Sequence, residues 1–310
     1  MPGGKICFDT FIAISCWFLI DQDFKTSRFL KMWFEVLFYS VFTTVIAAML
    51  GSSFTGIEWF SSFFQITGGV QGFAQTYLAF YLLLPFLRKI SNKMTKKQNI
   101  YILIVLSLFI FLFRFMASLA WNEQSVYSRL TLFVFIYFLM LYIKHNPIRW
   151  LESSLFMGIA FVVGWLFLYL YYYMTVSYPD WTGWKWVTIF VIDEGGILFL
   201  LTGLSLFFFF KSIYIKPIKW VNMLASATFA VILIHDGHFF RGWTWTLLKT
   251  SEWYYSKYFG IRIIISAIII YMLCTLMDLL RRNLFEKPLF KIKRVNILCN
   301  HVDKIFSSKE

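Results

Sequence analysis

Charge is what this sequence has least of. Only 15% of its 310 residues are Asp, Glu, Lys or Arg, against about 25% in a soluble domain. Carboxylates are the scarcer sign, 16 against 29 Lys and Arg. A chain so poor in charge does not cover the surface of a water-soluble globule, and that class is excluded. The sequence also lacks a Walker A loop, GxGxxG, HExxH and GxSxG. Phosphate-cradling loops, helix-borne zinc sites and the serine elbow are therefore not its chemistry. Cys7, Cys16, Cys274 and Cys299 are scattered, with no CxxC and no metal-ligand spacing. Cys7 and Cys16 lie in apolar sequence, where a thiol acts as a small hydrophobe. No internal repeat and no low-complexity linker is present. The first apolar run, 6–20, has no charged lead-in and no small-residue cleavage site, so it is not a signal peptide.

What is present is apolar and aromatic. Hydrophobic residues make up 59% and aromatic residues 22%, with 38 Phe and 13 Trp, and the mean hydropathy is +0.68. These values predict an all-α, polytopic membrane helix bundle. A spanning helix needs about 20 mainly apolar residues, which gives about nine candidate spans. They are 6–20, 32–50, 73–87, 100–120, 130–143, 154–175, 188–210, 221–239 and 260–280. Residues 1–290 form one membrane domain, and 291–310 form a basic tail.

The net charge of +13 would suit nucleic acid, but its placement argues for a membrane. The connections alternate in charge. Residues 21–31 carry Lys25, Arg28 and Lys31, and 88–97 carry Arg88, Lys89, Lys93, Lys96 and Lys97. Between them, 51–72 carries no Lys or Arg. Lys144 with Arg149, and Lys211 with Lys216 and Lys219, continue the pattern. Basic connections face the cytoplasm, so the C-terminus is expected there too, in a cell membrane crossed many times. The segment 240–259 is basic yet should lie outside. It is rich in Trp and Tyr and reads as interfacial. Region 51–72 reads as a re-entrant or interfacial hairpin. Nine spans with the C-terminus inside put Met1 outside, which leads to the expectation of a preceding helix.

Ionisable groups at membrane depth are costly and usually functional. The richest stretch is Thr228-Phe-Ala-Val-Ile-Leu-Ile-His235-Asp236-Gly237-His238. At 1.5 Å per residue Arg114 stands about 21 Å along its outward-running span. Asp193 and Glu194 stand near the outer start of theirs. One arginine, three carboxylates and two histidines thus meet in the outer leaflet. They read either as a wet cavity with a histidine base for a hydroxyl, or as interfacial snorkelling with one structural pair such as Arg114 and Asp193. At the inner face Lys25-x-x-Arg28 reads either as positive-inside charge or as the seat of a phosphate-bearing cytosolic ligand. Lys31 and Glu35 read as an i,i+4 surface pair. Pro85 should kink or end its helix.

Four stretches together resemble the acyltransferase family 3 membrane proteins. They are Gly3–Leu19, which is similar to that family's second span; Lys25-x-x-Arg28; Thr76-Tyr77-Leu-Ala-Phe-Tyr-Leu-Leu-Leu-Pro85-Phe-Leu; and Ser226-Ala-Thr-Phe-Ala-Val-Ile-Leu-Ile-His235-Asp236. Leu284-Phe-Glu-Lys-Pro-Leu-Phe fits as well, so the resemblance covers residues 3 to about 291. It implies transfer of an acyl group, usually acetyl, from cytosolic acyl-CoA to a hydroxyl of a surface polysaccharide or lipid-linked glycan. On that reading His235 and Asp236 are catalytic and Lys25 and Arg28 bind the acyl donor. Arg114, Asp193, Glu194, Tyr77 and His238 line the acceptor side. Acyl-CoA is the co-substrate, no metal is required, and the partners are the bilayer and the glycan, not nucleic acid. The family's catalytic histidine stands on a first helix that has no counterpart in this sequence. Cys16 and Trp17 replace a glycine and a tyrosine of its signature, and Ala230 and Ile232 replace a glycine and a tyrosine of its last motif. The alternatives are a transporter or flippase of lipid-linked glycans, and an inactive relative.

Overall fold

A backbone crossing hydrocarbon has no water to bond, so its N–H and C=O groups are met within a helix or around a closed barrel, and long continuous apolar runs suit the helix. The computed structural model describes residues 2–63, 72–112, 129–179, 196–235, 237, 240, 248, 252 and 256–306. Among them every regular element is a helix. Three helices are long and apolar enough to cross a membrane: Thr26–Met49, Ser154–Ser177 and Phe259–Phe290. Ile197–Ser212 and Lys219–His235 are apolar but shorter. The chain divides into two units, residues 1–23 with 83–215, and residues 24–82 with 216–310.

The first unit holds α1 (Pro2–Leu19), the end of α4 (Gly72–Asn92), α5 (Lys96–Ser107), α6 (Arg129–His145), α7 (Ser154–Ser177) and α8 (Ile197–Ser212). Helix α6 is apolar on every side, and Leu132, Phe133, Ile136 and Met140 lose all exposure. That is the pattern of a helix surrounded by others. Ile6, Leu168, Tyr171 and Phe199 join α1, α7 and α8 in one cluster. Small residues set how close these helices come. A Cβ on Gly203 would lie 2.9 Å from Asp9 Cβ and 3.1 Å from Ile6 O. Thr10 Oγ1 crosses the same seam, 2.8 Å from Ile6 O and 3.1 Å from Gly203 O. A Cβ on Gly164 would likewise strike the Thr202 hydroxyl. Helix α5 starts on a reciprocal cap in which Thr95 and Gln98 bond each other's backbone. It runs on as a π-turn over Leu108–Leu112.

The second unit holds α2 (Thr26–Met49), α3 (Gly56–Phe63), the start of α4, α9 (Lys219–Ser226), α10 (Thr228–His235), α11 (Phe259–Arg281) and α12 (Lys293–Phe306). Val36, Tyr39, Ala74, Leu78, Ala230, Leu233 and Cys274 bind α2, α4, α10 and α11 together. The connection read as a hairpin begins with α3, which the Thr55–Glu58 capping box opens. Residues 64–71 of that connection lie outside the described residues.

Three sequence expectations change. Within the span 221–239 the described residues to His235 form two helices broken at Ala227. The carbonyls freed by the break find partners on α11 and just after it: Tyr271 donates to Leu224 O at 2.9 Å, and Arg282 Nη2 donates to Ser226 O at 2.5 Å. Helix α4 does not end at Pro85 but runs on to Asn92. Lys31 and Glu35 do not pair with each other. Lys31 reaches Glu286 at 3.9 Å, and Glu35 turns inward to Arg281 at 3.5 Å.

That inward turn opens a buried ionic network. Arg281 is 2% exposed, Asp278 is fully buried and Glu35 is 8% exposed. Arg281 donates to Asp278 Oδ1 through Nε at 3.0 Å and Nη2 at 2.9 Å, and to Glu286 at 2.9 Å. Arg282 pairs with Asp278 Oδ2 at 2.6 Å, and Tyr39 donates to Asp278 Oδ1 at 3.1 Å. Three carboxylates thus face Arg281, Arg282 and Lys31, and the charges cancel. Removing one partner of such a set leaves a buried ion uncompensated, at a cost of about 3–5 kcal/mol. Arg281→Gln is expected to lower the thermal unfolding midpoint of the detergent-solubilised protein steeply. Gly203→Val, which overpacks the α1–α8 seam, should cost less, about 1–3 kcal/mol. An unchanged midpoint for Arg281→Gln would refute the network's structural role.

Candidate functional site

Helix α2 begins without a side chain of its own to bond its first N–H groups. Its N-cap, Lys25, makes no side-chain cap bond. The missing acceptor comes from far along the chain. Asp303 on α12 accepts from Thr26 N at 2.6 Å and from Thr26 Oγ1 at 2.5 Å. A carboxylate there satisfies orphan donors and meets the positive end of the helix dipole.

Lys25 and Arg28 flank this capped end. Lys25 is exposed and Arg28 half-buried. The backbone of Lys25 meets the Tyr81 hydroxyl at 3.5 Å through both its N–H and its carbonyl, and the Arg28 guanidinium bonds the same hydroxyl. Phe24 packs on Tyr81 at 5.3 Å and on Phe306 at 5.4 Å, closing the cluster with aromatic rings. The Lys25–Arg28 pair is therefore held at a defined place, with Tyr81 between the two residues and Asp303 at the helix start. Sequence reasoning quoted Tyr81 only as part of a motif and passed over Asp303. A lone aspartate in a basic tail carries no local signal of a contact 277 residues away.

His235 ends α10 and is half-buried. Its Nδ1 lies 2.7 Å from Val231 O. A carbonyl only accepts, so Nδ1 carries the hydrogen, and in the neutral ring Nε2 keeps the lone pair. The side chain is thus oriented as a base is, with one nitrogen anchored and the other available. Tyr77 is 8% exposed and packs its ring on Phe73 at 6.2 Å and on Phe229 of α10 at 5.8 Å. Helix α4 therefore sits against the helix that carries His235. Arg114, Asp193, Glu194, Asp236 and His238 lie outside the described residues.

Depth order within this unit follows from α10. Ser226, just before it, is held by Arg282, which pairs with Asp278 in the ionic network. His235 is seven positions beyond Thr228, about 10 Å along α10. The histidine thus stands at the end of α10 away from the ionic network, and the basic cluster stands at the start of α2.

The first unit has a second basic feature that sequence reasoning missed. Trp17 lies under Lys144, 4.9 Å from its centroid, and under Lys211, 4.6 Å from it. Lys144 also bonds Trp17 O at 2.8 Å and pairs with Asp21. A recess of about 160 Å³ opens beside these residues. Indole faces attract cations, so a tryptophan between two basic loops collects both. Among the described residues no group of His, Cys, Asp and Glu is placed to hold a metal ion.

No family model, no curated protein and no solved structure matches the chain.

Two outcomes follow from the capped end of α2. Asp303→Ala removes its cap, worth about 1 kcal/mol, and is expected to speed tryptic cleavage after Lys293, Arg294 and Lys304 in the folded protein. Unaltered cleavage kinetics would show that α12 is held by other contacts.

Proposed function

We propose that the chain is a membrane O-acyltransferase. It takes an acyl group, acetyl in the simplest case, from cytosolic acyl-CoA and transfers it to a hydroxyl of a surface polysaccharide or lipid-linked glycan. The observation that carries this reading is the pairing, within one helical unit, of a basic cluster at one end with an oriented histidine toward the other. The resemblance of Lys25-x-x-Arg28, the Tyr77–Leu87 stretch and the Ser226–Asp236 stretch to acyltransferase family 3 supports it.

In the proposed topology about nine helices cross the cell membrane, the basic connections and the C-terminus face the cytoplasm, and His235 faces outward. Lys25 and Arg28 hold the phosphates of the donor, because paired cations match phosphate oxygens. Arg28 is the stronger of the two. Its planar guanidinium offers several donors, and Tyr81 fixes it. On the acceptor side Nε2 of His235 takes the proton from the attacking hydroxyl. The hydroxyl oxygen bonds the thioester carbonyl carbon, the C–S bond breaks, and the thiolate leaves with CoA and is protonated there. The ester formed is the product. Asp236 and His238 follow the base closely in sequence, and Tyr77 lines the acceptor side.

The test is glycan O-acetyl content, read by NMR in cells expressing the chain, beside CoA binding to the purified protein. Lys25→Gln with Arg28→Gln is expected to weaken CoA binding at least about tenfold, a loss of about 1.4 kcal/mol. His235→Gln should leave CoA binding intact and lower acetyl transfer about 10²- to 10⁴-fold. Acetylation that survives His235→Gln would remove this histidine from the chemistry. Glycan translocation that survives the loss of both cations, without any acetylation, would favour a transporter instead.

A further inference from the structure

Helix α12 has two faces of different composition. At about 100° per residue Val295, Cys299, Val302, Asp303 and Phe306 fall on one side. This side turns inward: Cys299 is 2% exposed, Asp303 caps α2 and Phe306 packs on Phe24. Burial and the nearby Asp303 charge raise the Cys299 thiol, which keeps it a neutral packing group. Ile297 lies opposite this side and Leu298 and Ile305 on its flank, and the three are 59%, 59% and 68% exposed. Lys293 and Arg294 are interleaved with them and are exposed as well.

No carboxylate competes on that outer face. From Leu284 to Phe306 the acids are Glu286 and Asp303. Arg281 holds Glu286, and the start of α2 holds Asp303. Lys291, Lys293 and Arg294 are all exposed. The position adds to the chemistry. The Phe259–Phe290 helix is long enough to cross a bilayer, and only Lys291 and Ile292 separate it from α12. The helix therefore starts where a spanning segment meets the headgroups.

We infer that the outer face of α12 is a docking surface for anionic lipid headgroups, with Ile297, Leu298 and Ile305 entering the leaflet and Lys291, Lys293 and Arg294 pairing with headgroup charge. Aliphatic residues interleaved with cations are the composition of an interfacial helix, and a basic segment beside a span is drawn to an anionic leaflet. The inward face ties the same helix to the start of α2, so lipid composition reaches the Lys25–Arg28 cluster through Asp303. The inference does not depend on acyl transfer.

The test uses the full-length protein in vesicles of phosphatidylcholine alone, and of phosphatidylcholine with phosphatidylglycerol at about 3:1. A nitroxide on Leu298→Cys, in a Cys7→Ser background, reports collisions with oxygen and with a water-soluble nickel complex. The background protein without Leu298→Cys measures stray labelling. The oxygen-to-nickel collision ratio is expected to be about threefold higher or more in the anionic vesicles. Adding Lys291→Gln, Lys293→Gln and Arg294→Gln should erase most of that difference. A label at Asn300→Cys, on the polar edge, should stay in water throughout. Equal ratios in the two vesicles, a difference that survives the triple substitution, or spin–spin broadening from a second copy at Leu298 would each overturn the inference.

Discussion

The buried ion network around Arg281 is the constraint on which the second helical unit depends. An arginine costs too much to bury alone, so every carboxylate near it is committed to position. Glu35 fixes the rotation of α2, Asp278 anchors α11, and Glu286 ties the π-turn after α11, Arg282–Glu286, back to Arg281. Arg282 extends the set to Ser226 and holds the break between α9 and α10. Once these positions are set, the start of α2 lies open beside Tyr81, and α12 reaches it with Asp303. His235 stands at the far end of the same layer. The proposed donor and acceptor ends are thus distances along helices whose register this network fixes.

A second economy runs through both units. Buried hydroxyls bond carbonyls of their own helices, as Thr43 and Thr44 do with Ser40 O and Thr202 does with Leu198 O. Such bonds let polar residues enter apolar helices without an orphaned donor. They also free adjacent positions for close approach, as at Gly164 against Thr202. The chain can therefore be poor in charge and still place polar groups in its interior.

Much of the architecture was legible in composition. Long apolar runs predict helices, and α2, α6, α7 and α11 lie within a few residues of the expected spans. The misreadings fall where partners lie far apart in sequence. Lys31 and Glu35 look like a surface pair at i,i+4 spacing. Arg281, nearly 250 positions away, draws Glu35 inward instead. Pro85 reads as a kink or an end, and α4 does not end there. The break at Ala227 is announced by no Gly or Pro, because neither occurs between Lys219 and His235.

Hydropathy and the scarcity of charge by themselves determined that the described residues are helical and suited to a membrane, because continuous apolar runs of about 20 residues satisfy their backbone in hydrocarbon as helices. The apolar periods also determined roughly where its helices lie. Which carboxylate meets Arg281, what caps α2, which nitrogen of His235 carries the hydrogen and which face of α12 is left outward were decided only by tertiary structure. Each depends on atoms brought together across tens to hundreds of residues, or on a rotamer, and local composition encodes neither.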